Sequence, residues 1–337
     1  MKRKFAGLLA MTIAGSLMLT ACSSSGGGST AEGGDSSVSY LRMCSGTQGA
    51  TWTTVGSAMM EYAGSDLGIS ASNGPGGAAA NPRAVVNGEY EMGWSFTSTL
   101  AQAYAGEGDY AADGAMENLT HVMSIFPSQY HMVVPADSDV QSLADLNGKI
   151  VNFTPVTETS YTITVAALEA YGITEESIES AGGTVTLTRF NEASELMKNG
   201  ELDYWTACIA YPASTVSDLA FDPGIRMLSI EEDMMDDVLG NLPEGFEEMI
   251  IPAGTYEGQD EDVHTVGTIG AIFCTTDIPE DVVYNFLKSM YNNWDKLVAI
   301  NPTAFGDLSV ENWLDGASIP LHPGAQKFYE EMGMLEA

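Results

Sequence analysis

Residues 38–64 read VSYLRMCSGTQGATWTTVGSAMMEYAG, and residues 149–172 read KIVNFTPVTETSYTITVAALEAYG. Each begins as a short apolar strand, passes through a loop rich in hydroxyl side chains, and ends as a helix closed by glycine. In the first, Val38–Met43 is the strand and Cys44–Thr54 the loop. Val55, Ala58, Met59, Tyr62 and Ala63 then recur at helical spacing, with Gly64 as the stop. In the second, Lys149–Phe153 is the strand and Thr154–Ser160 the loop, and Val165, Ala166, Leu168 and Tyr171 mark a helix before Gly172. The two copies share an architecture, not residues. A helix N-terminus presents unpaired N–H groups, and a Gly/Ser/Thr loop adds donors. Two domains aiming such loops at a common cleft can hold a small anionic or zwitterionic ligand. Ordinary strand-to-helix turns satisfy the same spacing, so the pattern alone leaves binding open. Neither loop is GxxxxGK[ST] and no GxGxxG occurs, so no cofactor is expected.

Working outward, His131–Val134, Thr184–Phe190, Asp203–Ala207 and Ile225–Ile230 read as further strands. Helical segments fall between 190 and 203 and between 207 and 225. Val263–Cys274 is a long apolar strand. A helix start follows, with Asp277 as N-cap, Pro279 in the first turn and Glu280 three residues after the cap. Val282, Val283, Phe286, Leu287, Met290, Tyr291 and Trp294 form its buried stripe. Strands alternating with helices predict an α/β protein with parallel or mixed sheets, and 337 residues are enough for two domains.

The N-terminus reads as an address. Lys2, Arg3 and Lys4 precede an uncharged stretch, Phe5–Ala21, shorter than a full membrane span. It ends Leu19-Thr20-Ala21-Cys22, which resembles the lipobox of bacterial lipoproteins. The resemblance implies a signal peptide over 1–21, lipid on the Cys22 sulfur and a membrane anchor, with residues 22–37 as a flexible tether. Asp and Glu number 46 against 12 Lys and Arg. Loss of residues 1–21 removes three cations and no anion, taking the net charge from −34 to −37. A nucleic-acid partner needs a basic footprint that this chain cannot build.

The C-terminal run Pro320-Leu321-His322-Pro323-Gly324-Ala325, followed by Lys327, Phe328 and Tyr329, resembles the ending of the TAXI-type extracytoplasmic solute receptors of tripartite ATP-independent periplasmic (TRAP) transporters. Other segments match in the same order. They are Gly46–Gly56, Gly76-Gly77 through Asn81, Asn87-Gly88-Glu89, His131-Met132-Val133-Val134, Ser142–Lys149, Asn199–Asp203 and Asp281–Tyr284. The resemblance spans about residues 38–335. It implies a two-domain periplasmic-binding-protein-like (type II) fold with a hinge and an interdomain ligand cleft. On that basis one lobe takes residues 38–130 plus 276–337 and the other 131–275. It also implies capture of a small organic solute, a carboxylate or an amino acid such as glutamate. Delivery is to the small and large membrane permease subunits, driven by an ion gradient, commonly Na⁺. A monomer is expected.

The departures bear on the ligand. Ser45-Gly46-Thr47-Gln48-Gly49 stands where the family often has TGGxxG, and Thr157-Glu158-Thr159-Ser160-Tyr161 where it often has GSGTE. Phe96-Thr97-Ser98 replaces its QSD. Lost glycines change which N–H groups can approach a ligand, and Glu158 adds negative charge near the expected anion position. The candidate ligand-binding residues are Thr47, Gln48, Thr51 and Trp52 in the first loop and Thr157, Thr159, Ser160 and Tyr161 in the second. Trp94 and Thr97 join them at a strand end, and Trp205 and Tyr211 after the Asn199–Asp203 turn. Arg83 and Arg189 are the cations best suited to a carboxylate. Each has an alternative reading, as helix cap, core ring or surface ion pair. In so negative a protein an anion needs local donors, and a neutral or zwitterionic solute needs fewer.

No catalytic constellation stands out. There is no GxSxG, and the dispersed His121, His131 and His322 carry no HExxH, so no metal site is expected; His322 reads as structural. Cys44, Cys208 and Cys274 match no zinc spacing and read as small buried hydrophobes, with a disulfide between two of them as the other option. The acidic run Glu231–Asp237 reads as a solvated helix face. Two other classes remain as alternatives: a secreted lipid-anchored hydrolase, and an accessory sensor presenting ligand to a membrane receptor.

Overall fold

A computed structural model describes residues 38–46, 51–306 and 308–335. The signal peptide, Cys22, the tether, Thr47 and Gln48 lie outside the described residues. The strands are β1 (Tyr40–Cys44), β2 (Ser70–Gly74), β3 (Met92–Phe96), β4 (Leu119–Pro135), β5 (Ile150–Asn152), β6 (Thr184–Thr186), β7 (Trp205–Ile209), β8 (Ile225–Met227), β9 (Glu247–Ile251) and β10 (Val263–Thr275). The main sheet runs β2-β1-β3-β10-β4-β7, with β8 also on β4 and β9 also on β10. Neighbours β1, β2 and β3 are parallel, whereas β10 and β4 pair antiparallel with all of their partners. Strands β5 and β6 form a separate parallel pair.

Two of these strands organise the molecule. Both β4, 17 residues, and β10, 13 residues, are buried along nearly their whole length, as expected of strands covered on both faces. The sequence pattern showed only the apolar end of β4, His131–Val134, because Ser124, Pro127, Ser128 and Gln129 interrupt its hydrophobic run. Pro127 has no N–H to donate, and the β4–β10 register shifts between Ile269 and Ala271 beside it.

The buried apolar residues sort along the same two strands. One group, which includes Met59, Trp94, Phe126, Phe273, Phe286 and Trp313, draws on residues 41–126 and 271–329. The other, which includes Tyr130, Leu168, Tyr204, Trp205 and Val266, draws on residues 130–266. The chain passes from the first group to the second along β4 and returns along β10.

Several local expectations shift. The first helix, Thr51–Leu67, runs through Gly64 and turns at Gly68. A Cβ on Gly64 would stand 3.0 Å from the Ala71 methyl and 3.2 Å from the Ile69 carbonyl. The glycine therefore permits close packing on β2 rather than stopping the helix. Phe190 starts the helix Phe190–Lys198 instead of ending a strand. The helix expected from Asp277 begins at Glu280, with Pro279 as an N-cap that makes no side-chain bond. A proline disfavours helical backbone in the residue before it, so Asp277 and Ile278 stay in a turn. Tyr291 is exposed, and Trp294 opens a separate short helix, Trp294–Val298. No helix among the described residues is long and apolar enough to cross a membrane.

Candidate functional site

A cavity of about 660 Å³ lies beside β4. Alternate residues of β4 divide two spaces, as strand geometry requires. Phe126 and Ser128 face this cavity, whereas Ile125, Pro127 and Gln129 face a second hollow of about 420 Å³. The rest of the 660 Å³ wall comes from places where strands end and helices begin. Gly46, Thr51 and Trp52 follow β1, Phe96 ends β3, and Cys208 to Thr215 join β7 to the helix Ser214–Phe221. Phe190 and Asn191 open their helix, and Asn301, Thr303 and Ala304 open the short helix Pro302–Phe305. Crevices outside the carboxyl ends of strands are where α/β proteins bind ligands.

Three buried devices fix these ends. Asn81 donates from Nδ2 to the carbonyls of Ser45 at 2.7 Å and Trp94 at 2.6 Å, and its Oδ1 accepts from the Gly77 N–H at 3.0 Å. It thus ties together the loops after β1 and β3. Ser160 Oγ accepts from the Cys208 N–H at 2.8 Å, joining the second loop to β7. His131 Nδ1 lies 2.9 Å from the Gln129 carbonyl, so that nitrogen carries the proton; Nε2 then accepts from the Tyr256 hydroxyl at 2.8 Å. The same hydroxyl accepts from the Ala213 N–H at 2.9 Å and anchors the 211–215 wall. Burial lowers the His131 pKa to about 4, which keeps the ring neutral.

Among the described lining residues none is charged. The rings of Trp52, Phe96, Phe126, Phe190 and Tyr211 alternate with Thr51, Ser128, Asn191, Ser214, Thr215, Asn301 and Thr303. Trp52 stacks on buried Trp94 with centroids 5.0 Å apart and meets Phe96 edge-on at 4.9 Å. An adjoining hollow of about 260 Å³ shares Ala78, Phe96, Phe190 and Cys208 and adds Thr157, Glu158, Thr159 and Ser160. Desolvation raises the pKa of Glu158, with Arg189 opposing. The Thr154 backbone just before this loop holds φ at +61°, a strained conformation of the kind that recurs at functional sites.

Of the candidates, Thr51, Trp52, Tyr211, Thr157, Thr159 and Ser160 line these two spaces. The others have different settings. Trp94 and Trp205 are fully buried, and Trp205 Nε1 donates to the Phe190 carbonyl at 2.8 Å, so it supports the wall from behind. Tyr161 packs against Phe153. Thr97 sits in a buried hydroxyl cluster, 3.1 Å from Thr268 Oγ1 and 3.2 Å from the Gly245 carbonyl. Arg83 is not a wall residue. Its guanidinium pairs with Asp113 at 2.7 Å, lies over the Tyr110 ring at 4.3 Å and donates to the Asp109 carbonyl. Arg189 reaches Glu158 at 3.3 Å with its side chain mostly exposed. Phe190, Asn191, Ser214, Thr215 and Asn301 were missed. The signal for Asn301 was present: an Asn followed by Pro is a helix start, and its Oδ1 accepts from the Ala304 N–H at 3.1 Å.

The other polar groups are structural. Cys44, Cys208 and Cys274 are free thiols, which settles the disulfide question for them. Burial pushes the Cys208 thiol up to about 12, away from nucleophilic use. His322 Nδ1 accepts from the Gly324 N–H at 3.1 Å, and its other nitrogen donates to the Ile278 carbonyl at 3.0 Å, pinning two helix starts together. No group of three or more His, Cys, Asp or Glu among the described residues could hold a metal ion.

Residues 43–333 match the NMT1-like family. The chain belongs to that family. Solved structures give the same architecture at low identity. The putative sulfonate ABC transporter periplasmic sulfonate-binding protein of Methylobacillus flagellatus KT superposes with a TM-score of 0.53 at 12% identity, over 88% of this chain and 96% of that one. A protein of Xanthomonas citri bound to chloride ion gives 0.51 at 10% identity, over 87% and 100%. The fold is therefore the mixed α/β fold of periplasmic binding proteins.

Proposed function

We propose that this NMT1-like chain is an extracytoplasmic solute-binding receptor and not an enzyme. The observation that carries the reading is the 660 Å³ cavity at the strand ends beside β4, lined by rings, hydroxyls and amides without a charged group among the described residues. Its volume falls within the range of small-molecule sites. The fold supports hinge closure over a solute, which follows only if the solute binds the closed arrangement more tightly. The separation of buried residues into 41–126 with 271–329 and 130–266 supports two lobes, 38–130 plus 276–337 and 131–275.

In this reading the protein is of the TAXI type. It is held at the outer face of the membrane by lipid on Cys22 after loss of residues 1–21. It hands its solute, an organic acid or an amino acid such as glutamate, to the small and large TRAP permease subunits. The supports are the colinear motifs ending in Pro320–Ala325 and the lipobox-like Leu19–Cys22.

The test is a thermal-shift screen of the purified protein against amino acids, dicarboxylates and other organic acids. A bound solute raises stability by RT ln(1 + [L]/Kd). A shift with the solute recovered unchanged is the expected result. Conversion of the solute into a product would refute the receptor reading. Mass spectrometry of the membrane-extracted protein checks for acylated Cys22.

A further inference from the structure

We propose that the cavity selects a solute with a ring-sized apolar body and no net negative charge, an aromatic α-amino acid being the simplest, over dicarboxylates such as glutamate or succinate. This inference rests on the receptor reading and turns its solute away from the glutamate that the TAXI resemblance implies. The rings of Trp52, Phe96, Phe126, Phe190 and Tyr211 all belong to one wall system. Trp52 is backed by the stacked ring of Trp94, which holds its plane. Such a surface rewards a flat apolar group, by area and by offset or edge-on ring contacts.

The same walls give a second negative charge nothing to pair with. No described lining residue is a cation, and a carboxylate taken from water without a partner is heavily penalised. The arginines best suited by sequence are otherwise held: Arg83 by Asp113 and the Tyr110 ring, Arg189 beside Glu158. One carboxylate can be met by N–H groups at the start of the helix Ser214–Phe221, which opens on the cavity. The carboxyl side chain in the adjoining space is Glu158, half-buried. It can take an ammonium in place of the exposed Arg189 guanidinium 3.3 Å away, and it offers an anionic solute no partner. A solute with one carboxylate, one ammonium and a ring matches all three features.

The test is calorimetric titration of the full chain with L-tryptophan, L-phenylalanine, L-glutamate and succinate. The expected result is that at least one ring-bearing amino acid binds about tenfold or more tightly than either dicarboxylate. Trp52→Ala is expected to weaken that binding about tenfold, and Trp52→Phe, which keeps a ring against Trp94, by about threefold or less. Glu158→Gln is expected to weaken the amino acid and leave glutamate no weaker. Glutamate or succinate binding as tightly as the ring-bearing solutes overturns this inference and leaves the receptor reading standing. Binding by none of the four also overturns it, and the broader thermal-shift screen then decides the receptor reading separately. Ring binding unaffected by Trp52→Ala overturns the assignment to this cavity.

Discussion

Gly245 is the residue whose replacement has the most readable consequence. It belongs to the segment before β9, in the part of the chain that builds the second group of cores, yet it abuts the start of the helix Thr97–Ala105 in the first. An added Cβ would lie 2.7 Å from both the N and the Cα of Ser98, about 0.7 Å short of ordinary contact at 3.4 Å. The obstructing atoms are backbone, so no side chain can swing aside. The residue also holds φ at +88°, which costs an L-residue roughly 1–2 kcal/mol. Its carbonyl accepts from Thr97 Oγ1 at 3.2 Å and Thr268 Oγ1 at 3.1 Å. Weakening both removes about 0.5–1.5 kcal/mol each if they are lost outright. Gly245→Ala should therefore destabilise by about 2–5 kcal/mol, a large share of the ~5–15 kcal/mol of a typical domain. Urea unfolding followed by tryptophan fluorescence measures it. Gly240→Ala is the control: nothing lies within 4 Å of its added Cβ, and it sits in the helix Glu232–Asn241. That change should stabilise by about 0.5–1 kcal/mol. A Gly245→Ala midpoint indistinguishable from the parent, or moved in the same direction as Gly240→Ala, would refute the close-approach argument.

Two further outcomes concern the buried hydroxyl and imidazole groups. Tyr256→Phe removes the one oxygen that serves both His131 Nε2 and the Ala213 N–H. It should cost about 1–3 kcal/mol in urea unfolding and weaken whichever solute the screen identifies, because the 211–215 wall loses its anchor; unchanged stability and affinity together would contradict that role. Burial lowers the pKa of both His121 and His131 to about 4, below the ordinary 6.5. The folded state therefore resists a proton that the unfolded state accepts. The stabilisation is complete above pH 6.5 and is lost as the pH falls from 6.5 towards 4, by at most ~3 kcal/mol per histidine. Urea midpoints across that range should fall less steeply for His131→Gln than for the parent, and parallel curves would count against it.

Much of the architecture was legible because hydrophobic periodicity reports burial. Val263–Cys274 and the Val282–Trp294 stripe, of which Val282–Met290 lies in the helix, stood out for that reason, as did the strand-loop-helix units at 38–64 and 149–172. What escaped was set by tertiary packing. Ser124, Ser128 and Gln129 are buried polar residues inside β4, satisfied or hidden only by what surrounds them, so the longest strand looked like a short one. Thr184–Phe190 is β-branched enough to read as one strand, which concealed a helix start at Phe190 and with it a cavity wall. The strand-loop-helix pattern also occurs a third time, Trp205–Ile209 into Ser214–Phe221, behind Pro212. For the site, Thr51, Trp52, Thr157, Thr159 and Ser160 from the two loops line the two spaces, but the arginines were not assignable. Whether Arg83 faces a cleft or Asp113 depends on a partner 30 residues away.

The passage of the chain along β4 and back along β10 also sets an order of events during synthesis. Strand β3 finds its outer neighbour only in Gly270–Cys274, which pairs with Met92–Phe96. Until that late segment arrives, β1, β2 and β3 present an open parallel edge, and such an edge invites pairing with other chains. Residues 130–266, by contrast, hold their own buried clusters in one unbroken stretch. The half that begins the chain is therefore the half that completes last, and its long-range pairing makes it slow to close. Substitutions near Gly270–Cys274 should be felt in yield and aggregation before they are felt at the cavity.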